Sequence, residues 1–187
     1  MTSGPLLVGG FGLPPQVLAP LARELHGRVV STGLTVGCGE REAQKVVDAL
    51  DAVDERVTLI GHSRGGQLAR VAAVRRPRKV RRLVTVGTPT SIGPPTRWGV
   101  PVMAAALRRL PFDLALDCAT AECCTSFRED LRARVTVPWT AIWSPTDRIV
   151  PPDEARAEDA DERVEVRASH VGLVRSGRGR AAIRAAV

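Results

Sequence analysis

Tyrosine is absent from the chain, phenylalanine and tryptophan occur three times each, and Lys45 and Lys79 are its two lysines. So few rings make a poor platform for stacked bases, which argues against a nucleic-acid partner. No apolar run approaches the roughly 18 residues that a membrane-spanning helix needs, so no transmembrane segment is expected. The start also lacks a basic stretch followed by an apolar leader. Pro5-Leu6-Leu7-Val8 is a short strand-like run leading into glycines, and a cytoplasmic location is expected.

Cysteine is scarce as well. Cys38, Cys118, Cys123 and Cys124 are too few and too unevenly placed for a disulfide framework, so reduced thiols are expected. The group Cys118, Cys123 and Cys124 has no second ligand pair at metal-site spacing and no histidine nearby, so a metal is not expected. Under oxidising conditions Cys118 would pair with Cys123 or Cys124.

What the chain has in plenty is arginine, which with the two lysines brings the net charge to +7. The densest patch is Arg70, Arg75, Arg76, Arg78, Lys79, Arg81 and Arg82, with no acid between residues 70 and 82. Such a patch reads either as a solvated helix end opposing the negative pole of the macrodipole, or as a dock for an acidic carrier protein or an anionic lipid surface.

Along the 187 residues, short apolar runs alternate with stretches of helical period, as in a parallel sheet covered by helices on both faces. A single α/β domain with about six strands is expected: Leu6 to Val8, Arg28 to Ser31, Val57 to Ile60, Leu83 to Val86, Trp139 to Trp143 and Val164 to Val166. Helices are expected over Pro15 to Leu25, Glu40 to Val53, Gln67 to Val74, Ser126 to Arg134 and Gly179 to Val187. Residues 88–116, rich in proline, break the alternation. They read as a short cap with one helix over Val102 to Leu110, where Trp98 is a candidate substrate-binding residue. A monomer is expected.

Chemistry concentrates in Ile60-Gly61-His62-Ser63-Arg64-Gly65-Gly66, where a strand run meets G-x-S-x-G and then a helix. This is the context of a nucleophile elbow, a turn so tight that Gly61 and Gly65 must lack side chains if Ser63 is to stand clear. A serine hydroxyl needs a base, and the base needs a group that fixes its tautomer. Of the three histidines, His26 ends a helix and His62 lies inside the motif, directed away from Ser63. His170 follows the last strand and is the base by position and elimination. Asp147, in the turn after the Trp139 to Trp143 run, is the acid, although it could also be a turn aspartate paired with Arg148. Two backbone N–H groups are needed for the oxyanion. Arg64 next to the nucleophile and Phe11 in the Gly9-Gly10-Phe11-Gly12 loop are the expected donors. The Arg64 side chain suits either an anionic substrate group or a salt bridge.

Several segments in order resemble the α/β hydrolases, and within them the compact bacterial lipases with a minimal fold: Leu6 to Gly12, Val57 to Ala69, Leu83 to Pro89, Thr140 to Val150 and Ser169 to Leu173. Those lipases commonly carry His-Gly where this chain has Gly9-Gly10, and most are secreted. The resemblance implies a first strand lying between the second and third. It also implies a Ser63–His170–Asp147 triad that cleaves carboxylic esters of small molecules through an acyl-enzyme, with no metal or organic cofactor. A thioesterase acting on carrier-bound acyl groups is the alternative enzyme, and a binding module that keeps the fold without activity is the alternative of another class.

Overall fold

The computed structural model describes residues 4–35, 37–91 and 122–187. Trp98, Cys118, the expected helix over Val102 to Leu110 and most of the expected cap lie outside the described residues.

Six strands form one parallel sheet: β1 (Leu6–Val8), β2 (Arg28–Val29), β3 (Val57–His62), β4 (Val80–Val86), β5 (Trp139–Trp143) and β6 (Glu162–Glu165). The order is β2-β1-β3-β4-β5-β6, so the chain winds one way from β1 to β2, returns past β1 to β3, and then proceeds outward in the other direction. The first strand therefore lies between the second and third. At such a reversal the loops after β1 and β3 leave the sheet on diverging courses and open a crevice at the carboxyl ends of the strands.

Central strands of a parallel sheet are buried on both faces and mostly apolar, and every residue of β3 is buried, Thr58 and His62 included. Because side chains alternate across a strand, Leu6, Val8 and Leu59 face one core while Leu7 and Ile60 face the other. The first core is covered by α2 (Gly39–Asp51), α3 (Arg64–Arg75) and α4 (Thr125–Arg132), through Val46, Leu50, Leu68, Ala72, Phe127 and Leu131. The second is covered by α1 (Ala19–Glu24), α6 (Gly172–Arg175) and α7 (Gly177–Ala185), through Leu21, Leu173, Val174 and Ile183. Among the described residues, no helix is long and apolar enough to cross a membrane.

Several boundaries differ from the sequence reading for identifiable reasons. The expected helix over Pro15 to Leu25 is divided into a 3-10 turn, Pro15–Val17, and α1, since Pro20 near the start of α1 has no N–H to continue a single helix. Strand β4 begins at Val80, before the apolar run, because Arg81 and Arg82 can occupy strand positions while their heads reach Arg56 O, Thr140 and Glu162. The one-turn helices α5 (Pro152–Ala155) and α6 are too short to leave a periodic pattern.

Candidate active site

Parallel strands in register bring five loops to one edge. Val8 pairs with Gly61, His62 with Val86, Val86 with Ile142 and Trp143 with Glu165, so the loops after β1, β3, β4, β5 and β6 all emerge together. These loops carry Gly9 to Gly12, Ser63, Gly87, Asp147 and His170.

Ser63 has φ 55° and ψ −131°, a conformation that L-residues rarely adopt and that costs about 1–3 kcal/mol. The surroundings hold it there: its N–H donates to Val86 O at 2.9 Å, and its carbonyl accepts from Gly66 N at 2.8 Å as α3 begins. The flanking glycines follow from contact. A Cβ on Gly61 would strike the backbone of Gly65 and Gly66, and one on Gly65 would strike the carbonyls of Val8 and Gly9. The loop after β1 also closes on the serine, since a Cβ on Gly10 would stand 2.8 Å from Ser63 Cβ and 3.1 Å from His62 O. Ser63 is half-buried, and its Oγ makes no hydrogen bond to another described residue.

Asp147 and His170 meet across the loops after β5 and β6. His170 Nδ1–H donates to Asp147 Oδ2 at 2.7 Å, and Asp147 Oδ1 accepts from the N–H groups of Ile149 at 2.8 Å and Val150 at 3.1 Å. Burial pushes the Asp147 carboxyl up, but the His170 hydrogen bond and charge, with the two N–H donors, outweigh it and hold the group below the usual carboxylate range. Asp147 is thus the charged acceptor of a histidine and two backbone amides, and no ion pair joins it to Arg148 among the described residues. Ser144, fully buried, ties the two loops together: its Oγ donates to Ala168 O at 2.7 Å and accepts from Thr146 N at 3.1 Å.

His62 is buried beside this pair. Its ring lies 4.7 Å from that of His170, and its Nε2–H donates to His170 O at 3.0 Å. It is thus the link between the elbow and the histidine loop, a contact that its place inside the motif does not reveal. His26, with φ 52°, ends the α1 segment.

Phe11 follows Gly10, whose backbone approaches Ser63, and Arg64 follows Ser63 directly. Phe11 sits in the turn closed by Leu13 N–H donating to Gly10 O at 3.1 Å, and Arg64 is the first residue of α3, where N–H groups point outward along the positive end of the helix. The Arg64 side chain is engaged by residues at the start of α2. It donates to Gly37 O at 2.7 Å and pairs with Glu42 at 3.2 Å, while the other Glu42 oxygen accepts from Gly37 N at 2.6 Å. Of the two readings open to that side chain, the salt bridge is the one present.

Four members of the basic patch, Arg70, Arg75, Arg76 and Arg82, pair with acids of the same chain. Arg70 pairs with Asp159 at 2.8 Å, Arg75 with Glu40 at 2.8 Å and Asp130 at 2.7 Å, Arg76 with Asp51 at 2.9 Å, and Arg82 with Glu162 at 3.2 Å. Arg70 also stacks 4.6 Å over the Trp139 ring. The acids lie far away in sequence, so a local count of charge overstates the exposed field.

Sheet order, the strained serine turn and the facing Asp–His loops define the α/β-hydrolase fold, and comparison with known proteins agrees. A family model described as alpha/beta hydrolase fold matches residues 43–113. Among solved structures, the chain is similar to polyneuridine aldehyde esterase, with a TM-score of 0.64 at 17% identity over 100% of both chains. It is also similar to a lipase-esterase related protein from Clostridium acetobutylicum, with a TM-score of 0.71 at 14% identity over 98% of this chain and 93% of that one. A monoacylglycerol lipase from Paleococcus ferrophilus gives a TM-score of 0.63 at 19% identity over 97% and 91%. No curated protein matches the sequence. The chain therefore has the α/β-hydrolase fold.

Proposed function

We propose that this protein is a serine hydrolase that cleaves carboxylic esters of small molecules, with Ser63 as nucleophile, His170 as general base and Asp147 as the residue that orients it. The observation that carries the reading is the 2.7 Å bond from His170 Nδ1 to the Asp147 carboxylate at the sheet edge where Ser63 stands on its strained turn. With the proton on Nδ1, the lone pair of the neutral ring is on Nε2, the atom left to take a proton.

Ser63 Oγ attacks the ester carbonyl as His170 Nε2 takes its proton, and the tetrahedral oxyanion is met by the backbone N–H groups of Phe11 and Arg64. The C–O bond to the leaving alcohol then breaks as His170 returns the proton to that oxygen. Water, activated by the same nitrogen, attacks the acyl-enzyme and releases the carboxylic acid and Ser63. Hydrogen bonds between nucleophile and base are commonly long without substrate and tighten once it is bound. Each oxyanion donor contributes about 3–4 kcal/mol to such a transition state.

Pairing of Arg70, Arg75, Arg76 and Arg82 with acids of the same chain weakens the feature that favoured a thioesterase receiving an acidic carrier, so the ester reading is preferred. The test is labelling by a fluorophosphonate probe, with wild type beside Ser63→Ala and His170→Ala, followed by hydrolysis of p-nitrophenyl esters of increasing chain length. The expected result is labelling of wild type alone and a loss of turnover of about 10⁴-fold or more in either variant. Folded wild type that is neither labelled nor active would overturn the reading in favour of a binding module.

A further inference from the structure

Cys38 and the pair Cys123 and Cys124 are 85 residues apart in the chain but meet in the fold. Cys38 precedes α2 as its N-cap, and Cys123 and Cys124 end the 3-10 turn Glu122–Cys124 that leads into α4. Both helices pack on the same core, where Phe127 of α4 lies against Gly39, the first residue of α2. That contact holds the cysteine-bearing ends together. The three sulfurs form a triangle with sides of 3.4 Å (Cys38 to Cys124), 3.6 Å (Cys38 to Cys123) and 3.9 Å (Cys123 to Cys124). No disulfide joins any two of the three.

The size of the triangle is informative. Three sulfurs at about 2.3 Å from a zinc ion, set at tetrahedral angles, stand about 3.8 Å apart. The observed sides lie close to that value, and the three ligand atoms already converge without backbone movement. A disulfide would draw one pair to about 2.05 Å and leave the third sulfur without a role. Burial is graded from Cys124, buried, through Cys38, partly exposed, to Cys123, exposed, so an ion can enter from solvent and be held against the protein.

We propose that Cys38, Cys123 and Cys124 form a binding site for Zn²⁺, a soft-ligand site separate from the proposed catalytic residues. On binding, three S–H groups release their protons to solvent and three S–Zn bonds form. No atom changes oxidation state, and a solvent water completes the tetrahedron. The ion ties the start of α2 to the start of α4. Because Cys38 follows Gly37, whose N–H and carbonyl hold Glu42 and Arg64, the clamp also stiffens the brace behind the first turn of α3. The local sequence spacing concealed this site, since its second ligand-bearing segment is supplied by the fold.

The test is Zn²⁺ titration of the whole chain, reduced and stripped of metal, in competition with a chromophoric chelator, with Co²⁺ as a spectroscopic substitute. One ion per chain is expected, with a sulfur-to-cobalt charge-transfer band, a tetrahedral d–d spectrum and a rise in Tm on adding zinc. Cys38→Ser and Cys123→Ser, at positions that are not buried, are expected to weaken Zn²⁺ binding by about tenfold or more with an unchanged circular dichroism spectrum. The proposal is overturned if protein with titratable, reduced thiols binds no stoichiometric ion. It is equally overturned if Cys38→Ser binds as wild type, or if protein isolated without reductant carries a Cys38 disulfide in place of metal. None of these readouts depends on esterase activity, so the site and the proposed function fail separately.

Discussion

The imidazole of His62 packs 4.7 Å from that of His170 and donates a hydrogen bond to the His170 carbonyl, so the residue before the candidate nucleophile anchors the loop of the candidate base. Burial, then the neighbouring His170, lowers the pKa of His62 to about 3, and the ring stays neutral. An unfolded chain takes up a proton on this residue near its ordinary value of 6.5, while the folded one does so only near 3. Stability contributed by neutral His62 is therefore present above about pH 6.5 and falls by up to a few kcal/mol as pH drops towards 3. The depressed Asp147 carboxyl adds to the loss in the same direction at the acid end of this window. Urea unfolding of wild type across the window should show the decline, and His62→Gln, which keeps a donor without titrating, should show a flatter one. Equal slopes would count against this role for His62.

Asp147→Asn keeps an acceptor for the N–H groups of Ile149 and Val150 but replaces the carboxylate that holds the His170 tautomer. We expect kcat for p-nitrophenyl esters to fall by about 10³ to 10⁴-fold with little change in KM or Tm. Wild-type turnover in this variant would remove Asp147 from the proposed mechanism.

Glu42→Gln removes the charge opposite Arg64 while leaving an amide oxygen for Gly37 N–H. Because the Glu42 side chain is only 6% exposed, the loss should cost about 1–3 kcal/mol in chemical denaturation. KM for a neutral ester should be unchanged, since the arginine head serves the α2 brace. A large KM effect without loss of stability would place that head at the substrate.

Gly10→Ala inserts a methyl group where Ser63 Cβ would be 2.8 Å away and His62 O 3.1 Å away. Neither neighbour is the far end of a flexible chain, so the loop carrying Phe11 must move. The expected result is a drop in kcat of about 10²-fold, the order of losing one oxyanion donor, with a smaller change in stability. Steady-state kinetics beside a thermal melt separates the two effects.

The sheet and the glycine-bracketed serine turn are legible in the sequence because each rests on local pattern, and the turns directly after strands mark where Asp147 and His170 lie. What the sequence conceals depends on residues brought together from afar. Glu42 carries no local mark in the first turn of α2, yet it is buried against Arg64. Arg70 looked like part of an exposed basic run, yet it lies beneath Asp159 and over Trp139. Cys38 looked solitary because the spacing rules for ligands count along the chain. Even Arg81 and Arg82 hid the start of β4, since charge at the open end of a strand weakens its apolar signature.

The two outermost strands of the sheet also bear on how the molecule behaves among copies of itself. Strand β2 has only two residues, and β6 reads Glu162-Arg163-Val164-Glu165, with three of its four side chains exposed. An open sheet ends in unpaired N–H and C=O groups that can template a strand from another chain, and brevity and charge are the usual protections. Here one margin is too short to register an incoming strand, and the other would set carboxylates and a guanidinium against whatever approached. At high concentration, growth by strand addition is therefore disfavoured at both margins.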